Sequence, residues 1–590
     1  MVRMVLLVKK ALFLVGICIV ATIITLAAIG LFGSLRAYGE LKNAKGLLFS
    51  AKASLEKQDI KSAAASFAKA RDHMNKADSE LKAHRISVGF LKIIPYAGTQ
   101  IRAIDHFVQI GAHLSNAGML LTGAVRGIPG IDAAATQDNA SIGTMVDVLS
   151  KLGNDLAPVE QELLLAQNES RTFKTGWLIG FASRMKRELD QKLDPTLGGL
   201  QKARKLMAVL PSIMGAAGAP PKNYMVLQQD CYELRASGGL ISNFGILQCS
   251  HDSLKLADYQ RSSTLSVGLA GGQGEPPIRL GGYPTVRFWD AGWWPDFHET
   301  TDVLSRIWSN NRKAPVDGYI AVDPIAIGYV LERTGPIEMP EVGETVTADN
   351  LLKLIAKYAG TSRYVAFLDS LSAHFFQKVT GSSPRQWFPL GRAFAQALAE
   401  KHMLLYFNDP GVEQSFSELD WSGGVKQSSG DYLMAVDSNI GGNTDQYKLN
   451  MWVKPKMSVE VTRQKDSTLL HHVTYTFDNR SGAQEFPLPY WSYLRLYVPG
   501  SAVAVADPGL VDSGSSDLGK HVLAKSVEVP TGKVVTVEFK YVTPGYGSML
   551  VQKQPGQVNL DIALTILEGG SIKKKQEVKL SREAKLDLSK

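Results

Sequence analysis

Cysteine is scarce, with three residues in 590: Cys18, Cys231 and Cys249. That excludes a disulfide-stapled scaffold and leaves too few thiolates for a cysteine-rich zinc fold. Charge is sparse too, at 20% of residues against 45% hydrophobic, which excludes a disordered or coiled-coil chain. The common catalytic signatures are absent. There is no G-x-x-x-x-G-K-[ST] phosphate cradle and no H-E-x-x-H zinc motif. There is no G-x-S-x-G nucleophile elbow. His471 and His472 are adjacent, so on a strand they point to opposite faces and share no metal. Gly271–Gly274 lacks the flanking strand and helix of a dinucleotide site and reads as loop. Alanine-rich helical stretches show no 34-residue self-similarity, so no repeat array is assigned.

At ~150 residues per domain, the length suggests about four units. The formal charge of +8 and pI near 9.0 suit an anionic partner. One long apolar run is present. Residues 11–35 carry no charged side chain and follow Arg3, Lys9 and Lys10. About twenty such residues match a ~30 Å hydrocarbon core, and the flanking cations place residues 1–10 in the cytoplasm. The expectation is a single transmembrane anchor with the remaining chain outside the cytoplasm. Nucleic acid is then not an expected partner. The run from His106 to Val125 contains His106, Gln109, His113 and Asn116 and reads as a buried helix, not a second span.

The expected fold class is multidomain α+β: an N-terminal transmembrane helix, a helical region, an α/β domain and a C-terminal antiparallel β-sandwich. Residues 36–210 show helical spacing, as in Leu41, Ala44, Leu48, Ala51 and Leu55, then Ala63, Phe67, Ala70, Met74, Ala77 and Leu81. This region reads as a stalk or cap. Pro211–Pro221 reads as a linker. Residues 222–408 alternate strands and helices, which argues an α/β layer. Residues 431–572 hold nine short expected strands, among them Tyr447–Val453, His472–Phe477 and Tyr493–Val498, which argue an antiparallel sandwich. Residues 573–590 form a basic tail.

Chemistry concentrates in two stretches. From Lys222 to Gly239 an expected strand ends in a polar turn holding Asp230, Glu233 and Arg235. Carboxylates at Asp230 and Glu233 suit Mg2+, while arginine and backbone N–H groups suit phosphate oxygens. The alternative is a salt bridge locking the turn. From Phe288 to Phe297, Trp289, Trp293 and Trp294 form either a stacking platform for sugar rings or a hydrophobic plug. Cys231 and Cys249 both follow short strands and stand as a candidate disulfide pair.

The turn resembles the core motif of the bacterial "domain of unknown function 4012" family, roughly N-Y-L-x-L-x-Q-N-x-x-E-L-R-x-x-G-G-F-I. Asn223, Tyr224, Leu227, Gln229, Glu233, Leu234, Arg235, Gly238, Gly239 and Ile241 match, while Asp230 replaces the usual Asn and Ala236 the usual Pro. Further likenesses follow in order at Trp294–Phe297, Val316–Pro324, Thr334–Ile337, Val346–Asn350, Ser438–Asp445, Tyr493–Pro499 and Gln552–Gly556. A more distant likeness is to the LytR-CpsA-Psr envelope transferases, which move glycopolymers from polyprenyl-pyrophosphate carriers using Mg2+ and several arginines. That resemblance implies catalytic roles for Asp230, Arg235, Arg261 and Arg363. The chain has Gly238 and Ser262 where those enzymes have aspartates.

Two functions follow from different classes. One is an envelope protein that binds polysaccharide or a partner without catalysis, its turn residues being structural. The other is a phosphotransferase on a polyprenyl-linked glycopolymer, with Mg2+ at Asp230 and Glu233. Convergence of Arg235, Arg261 and Arg363 on Asp230 in one pocket would favour the second.

Overall fold

The computed structural model describes residues 31–589, apart from 95–96, 129–131, 133–141, 173–179, 216–219, 266, 270–284, 312, 360, 442–447, 483–488 and 559. The glycine run at Gly271–Gly274 and the end of the Ser438–Asp445 motif therefore lie outside the described residues. The chain divides into two compact units, Met1–Pro211 and Ser212–Lys590.

The first unit is helical. Helix α1 (31–56) is followed by α2 (Ile60–Ala83), α3 (Arg85–Leu91), α4 (Ala97–Val125), α5 (Ile142–Asp155), α6 (Ala157–Thr172) and α7 (Gly180–Met214). Asp59 caps α2 by accepting a bond from the Ser62 amide at 2.9 Å. The buried stripe of α2 is Ile60, Ala63, Phe67, Ala70, Met74, Ala77 and Leu81, the face the spacing predicts. The apolar run from His106 lies in α4, where His106 meets Glu169 at 2.7 Å and His113 meets Glu162 at 2.6 Å. Those polar pairs bind α4 to α6, and α4 is not long and apolar enough to cross a membrane.

The membrane span expected over 11–35 falls, as far as residue 30, outside the described residues. Residues 31–35 begin α1, which continues through Arg36, Glu40, Lys42 and Lys45. Among the described residues no helix is long and apolar enough to cross a membrane. The fold class is accordingly corrected to multidomain α+β, and the transmembrane helix drops out of it.

The second unit begins with a five-stranded sheet, ordered β3-β2-β1-β4-β7. Its strands are β1 (Lys222–Asp230), β2 (Leu240–Ser250), β3 (Ser253–Arg261), β4 (Gly318–Val322) and β7 (Met403–Phe407), and a small hairpin of β5 (Ile337–Met339) and β6 (Glu344–Val346) stands apart. Only β1 and β4 run parallel; the other neighbours are antiparallel. Helices α8 (Phe297–Asn310), α9 (Pro324–Thr334), α10 (Leu351–Tyr358), α11 (Tyr364–Thr380), α12 (Pro384–Ala399) and α13 (Pro410–Glu418) complete this layer.

Two six-stranded sheets follow. One runs in the order β12 (Val503–Ala504), β15 (Val534–Thr543), β10 (Leu469–Asn479), β9 (Val453–Arg463), β17 (Leu560–Glu568), β18 (Ser571–Leu580), and the other β13 (Val511–Asp517), β14 (Lys520–Val529), β11 (Tyr490–Pro499), β8 (Asp431–Asn439), β16 (Ser548–Val551), β19 (Ala584–Asp587). They enclose a core that includes Val459, Val473, Phe477, Leu494, Phe539 and Ile562. The sandwich is mixed rather than antiparallel, because β17 (Leu560–Glu568) runs parallel to β9 (Val453–Arg463) and β16 (Ser548–Val551) parallel to β8 (Asp431–Asn439). The expected strand at Tyr447–Val453 is in its described part a short 3-10 turn over Lys448–Met451, with β9 starting at Val453. The basic tail at 573–590 is largely strand with a mostly solvent-exposed face. Its residues build β18 (Ser571–Leu580) and β19 (Ala584–Asp587), one in each sheet.

Strand β8 is buried at all nine positions. An alternating strand exposes one face to water, so continuous burial means that both faces are covered. One face joins the sandwich core through Leu433 and Ala435. The other packs Tyr432, Met434 and Val436 against Ala236 of the polar turn. The α/β layer thus sits on the outside of this sheet, and the turn after β1 lies in the seam.

Candidate functional site

Strand β1, held between β2 and β4, delivers its last residue, Asp230, into that seam. One carboxylate oxygen of Asp230 accepts the Tyr232 amide at 2.9 Å. The other meets the ammonium of Lys448, which also lies 3.4 Å from Glu233. Lys448 reaches in from the turn before β9 and lies 4.9 Å from the centre of the Tyr364 ring. Lys448 and Asp230 are each 5% exposed. Burial pushes Glu233 up, with Asp230 adding to the rise and Lys448 and Arg235 opposing it. Burial opposes the charge on Lys448, but the carboxylates of Asp230 and Glu233 outweigh it and raise its pKa well above that of an ordinary lysine. The two carboxylates proposed as Mg2+ ligands are therefore partnered by a protein cation. Among the described residues no group of three or more His, Cys, Asp or Glu is arranged to hold a metal.

Arg235 is spent in the same seam. Its guanidinium donates to Asp290 at 2.9 and 3.1 Å and to the Asn439 carbonyl at 2.6 Å. The pair with Asp290 is almost fully buried, at 9% and 5% side-chain exposure. The salt-bridge reading of the turn is thus realised with Asp290 as partner, not Glu233. Arg261 ends β3 on the surface; burial raises the Asp369 pKa, and the charge of Arg261 only partly opposes the rise. Arg363 is exposed, donates to the Val342 carbonyl at 3.0 Å and lies over the Tyr358 ring at 5.4 Å. The three arginines have separate partners, and Arg235 in particular is committed to protein groups.

The tryptophans divide. Trp293 is 3% exposed, stacks on Tyr493 at 5.7 Å and carries the Arg495 guanidinium 4.4 Å above its ring. It plugs the seam. Trp294 is partly buried against the core of the α/β layer. Trp289 is half-buried beside Arg287.

The other motif residues serve the seam or the element ends. Gln554 accepts the Asp437 amide at 2.8 Å and donates to the carbonyls of Asp437 and Arg235 at 2.7 and 3.1 Å. Gly556 has φ +74°, and a Cβ there would run into the Gly238 carbonyl. Only glycine allows that approach. Asp323 caps α9 through the amides of Ile325 and Ala326, and its second oxygen meets buried His402 at 2.6 Å. Asp296 caps α8 and also accepts the Val425 amide at 2.7 Å. Cys231 and Cys249 are free and buried. Asp230 pairs with Leu240 while Cys249 pairs with Lys222, so the two thiols lie at opposite ends of β1. That separation is roughly 27 Å at ~3.3 Å per residue, far beyond disulfide reach.

Beside the turn a cavity of about 470 Å3 opens between Cys231, Tyr232 and Leu234 on one side and the sandwich on the other. Four cations line it, Lys454, Lys456, Arg480 and Lys579, against two carboxylates, Asp437 and Asp561. Lys454 and Lys456 are two apart on β9 and so share a face. Asp561 is the register neighbour of both Lys456 and Lys579. Lys454 donates to the Met451 carbonyl at 3.1 Å. Partial burial, and then Arg480, push its pKa below the ordinary lysine value. Burial pushes Asp437 up to about 6, although Ser492 and Tyr490 donate to it at 2.5 and 2.7 Å. The excess of cations suits an anion, not a metal.

Lys448 and the cavity cations carry no sequence signal of their own, and Asp290 and Asn439, though they lie in stretches singled out above, carry none that pairs them with Arg235. Their role follows from long-range pairing. No curated protein and no solved structure matches the chain. Residues 220–359, from the entry into β1 to the end of α10, match the model described as Protein of unknown function (DUF4012), and the chain carries that family's domain there.

Proposed function

We propose that this protein binds an anionic glycopolymer of the cell-envelope type without catalysing its transfer, and that the cavity beside the polar turn is the binding site. The observation that carries this is the set of cations at the cavity mouth, Lys454 and Lys456 on one face of β9 with Lys579 and with Arg480, which pairs with Asp478 at 2.7 Å. A lysine held beside another cation gains from an anion bound to both. The motif residues Asp230, Glu233 and Arg235 are consumed by buried protein pairs, which supports binding over phosphotransfer.

Titration calorimetry with a polyglycerol phosphate oligomer, and with uncharged dextran of matched length, tests the proposal. Wild type is expected to bind the phosphate polymer and not dextran. The double variant Lys454→Ala, Arg480→Ala is expected to bind at least about tenfold more weakly, since a charged hydrogen bond is worth ~1.5–3 kcal/mol. Affinity should also rise as pH falls through about 6, where Asp437 in the cavity wall loses its negative charge. Equal binding by wild type and the double variant, or equal binding of dextran, would overturn the proposal.

A further inference from the structure

The Lys448, Asp230 and Glu233 cluster has the composition of a self-reacting centre. A primary amine and a carboxyl carbon are held together in a dry seam, and a second carboxylate stands within reach of the amine. Lys448 and Asp230 are each 5% exposed, and Glu233 lies 3.4 Å from the Lys448 nitrogen with its own side chain 12% exposed. Tyr364 closes one side. We propose that Lys448 and Asp230 join in an intramolecular isopeptide bond, with Glu233 as the proton carrier.

The ammonium–carboxylate pair is the resting form. Proton transfer within it leaves a neutral amine against a neutral carboxylic acid, a pair that a low-dielectric interior favours more than water does. The amine lone pair attacks the Asp230 carboxyl carbon. Glu233 takes a proton from the adduct nitrogen and delivers it to the departing hydroxyl, which leaves as water. One C–N bond forms and one C–O bond breaks. Nothing is oxidised or reduced, and Glu233 ends as it began. Burial already raises the affinity of Glu233 for a proton, which suits a carrier. Two features drive the step. Groups fixed at contact react as if at effective molarities of ~10⁵–10⁸ M. The product also replaces two buried charges with one neutral amide, removing their desolvation cost.

The bond would tie together residues 218 positions apart, joining the end of β1 to the turn before β9. It would lock the α/β layer to the sandwich.

Mass spectrometry of the full-length protein under denaturing conditions decides the matter. The wild-type chain is expected to be lighter than its sequence by one water. A protease digest should contain one branched peptide joining the segments of Asp230 and Lys448. Lys448→Met should restore the full mass. Glu233→Gln, whose folding is checked by circular dichroism, should also restore it while leaving Lys448 and Asp230 in place. A wild-type chain of full sequence mass, cleaved normally after Lys448 by trypsin, overturns the proposal. A one-water deficit that persists in Glu233→Gln overturns the role given to Glu233.

Discussion

Arg235 illustrates what single residues do in the seam. Its guanidinium is planar with five donors, and Asp290, Asn439 and Leu234 take four bonds from it in almost complete burial. Removing the arginine leaves Asp290 as a buried, unpaired carboxylate. Arg235→Ala is therefore expected to cost about 3–5 kcal/mol, read as a lower urea midpoint. A midpoint equal to wild type would show the pair to be dispensable. The turn's importance is legible in the chain, because carboxylates, an arginine and two glycines crowd a strand end. Its partner is not. Asp290 lies 55 residues on, and only the docking of the Phe288–Trp293 turn, whose Gly292 carbonyl accepts the Ser237 amide at 3.1 Å, brings it there. Cys231 and Cys249 fail as a pair for the related reason that following neighbouring strands says nothing about which end each residue occupies.

At the level of elements, helix starts are the most readable feature. Asp296, Asp323 and Asp409 each cap a helix with a side-chain oxygen, and aspartate before such a start is a local signal. Strand order is not local. The parallel pairings of β9 with β17 and β8 with β16 depend on segments about a hundred residues apart. The start of α8 also carries a pH signature. His298 lies 3.3 Å from Asp296 and 2.9 Å from Glu413 of α13. Its bonds to these carboxylates push it up from 6.5 to about 10, against partial burial. The folded value exceeds the unfolded one, so this contribution to stability is full below pH 6.5 and is lost as pH rises to about 10. A histidine NMR titration should show His298 unchanged between pH 6 and 8 and shifting only toward 10. A midpoint near its ordinary value would contradict the assigned bonds.

The whole molecule consists of two units, the first with a helical core and the second with a sandwich core and further cores of sheet and helix. Residues 212–590 contain all five strands of the first sheet and both sheets of the sandwich. That fragment is expected to be soluble and to unfold cooperatively on its own. A fragment that lacks a cooperative transition would refute this. The stretch matching the family model is a poorer cut. It stops at residue 359, before β7 closes the sheet and before His402 reaches Asp323. A chain cut there would leave β4 as an unpaired edge, a template for aggregation.

The same interlock sets a waiting time. Asp230 leaves the ribosome 218 residues before Lys448. At ~5–20 residues per second, that interval is roughly ten to forty seconds. For that time Asp230 at the end of β1 is an acid without its partner cation, although β1 gains both its neighbours, β2 and β4, earlier. The first sheet can form during synthesis, but its outer face cannot become dry until the sandwich arrives. A chaperone that shields exposed sheet faces would act in this window.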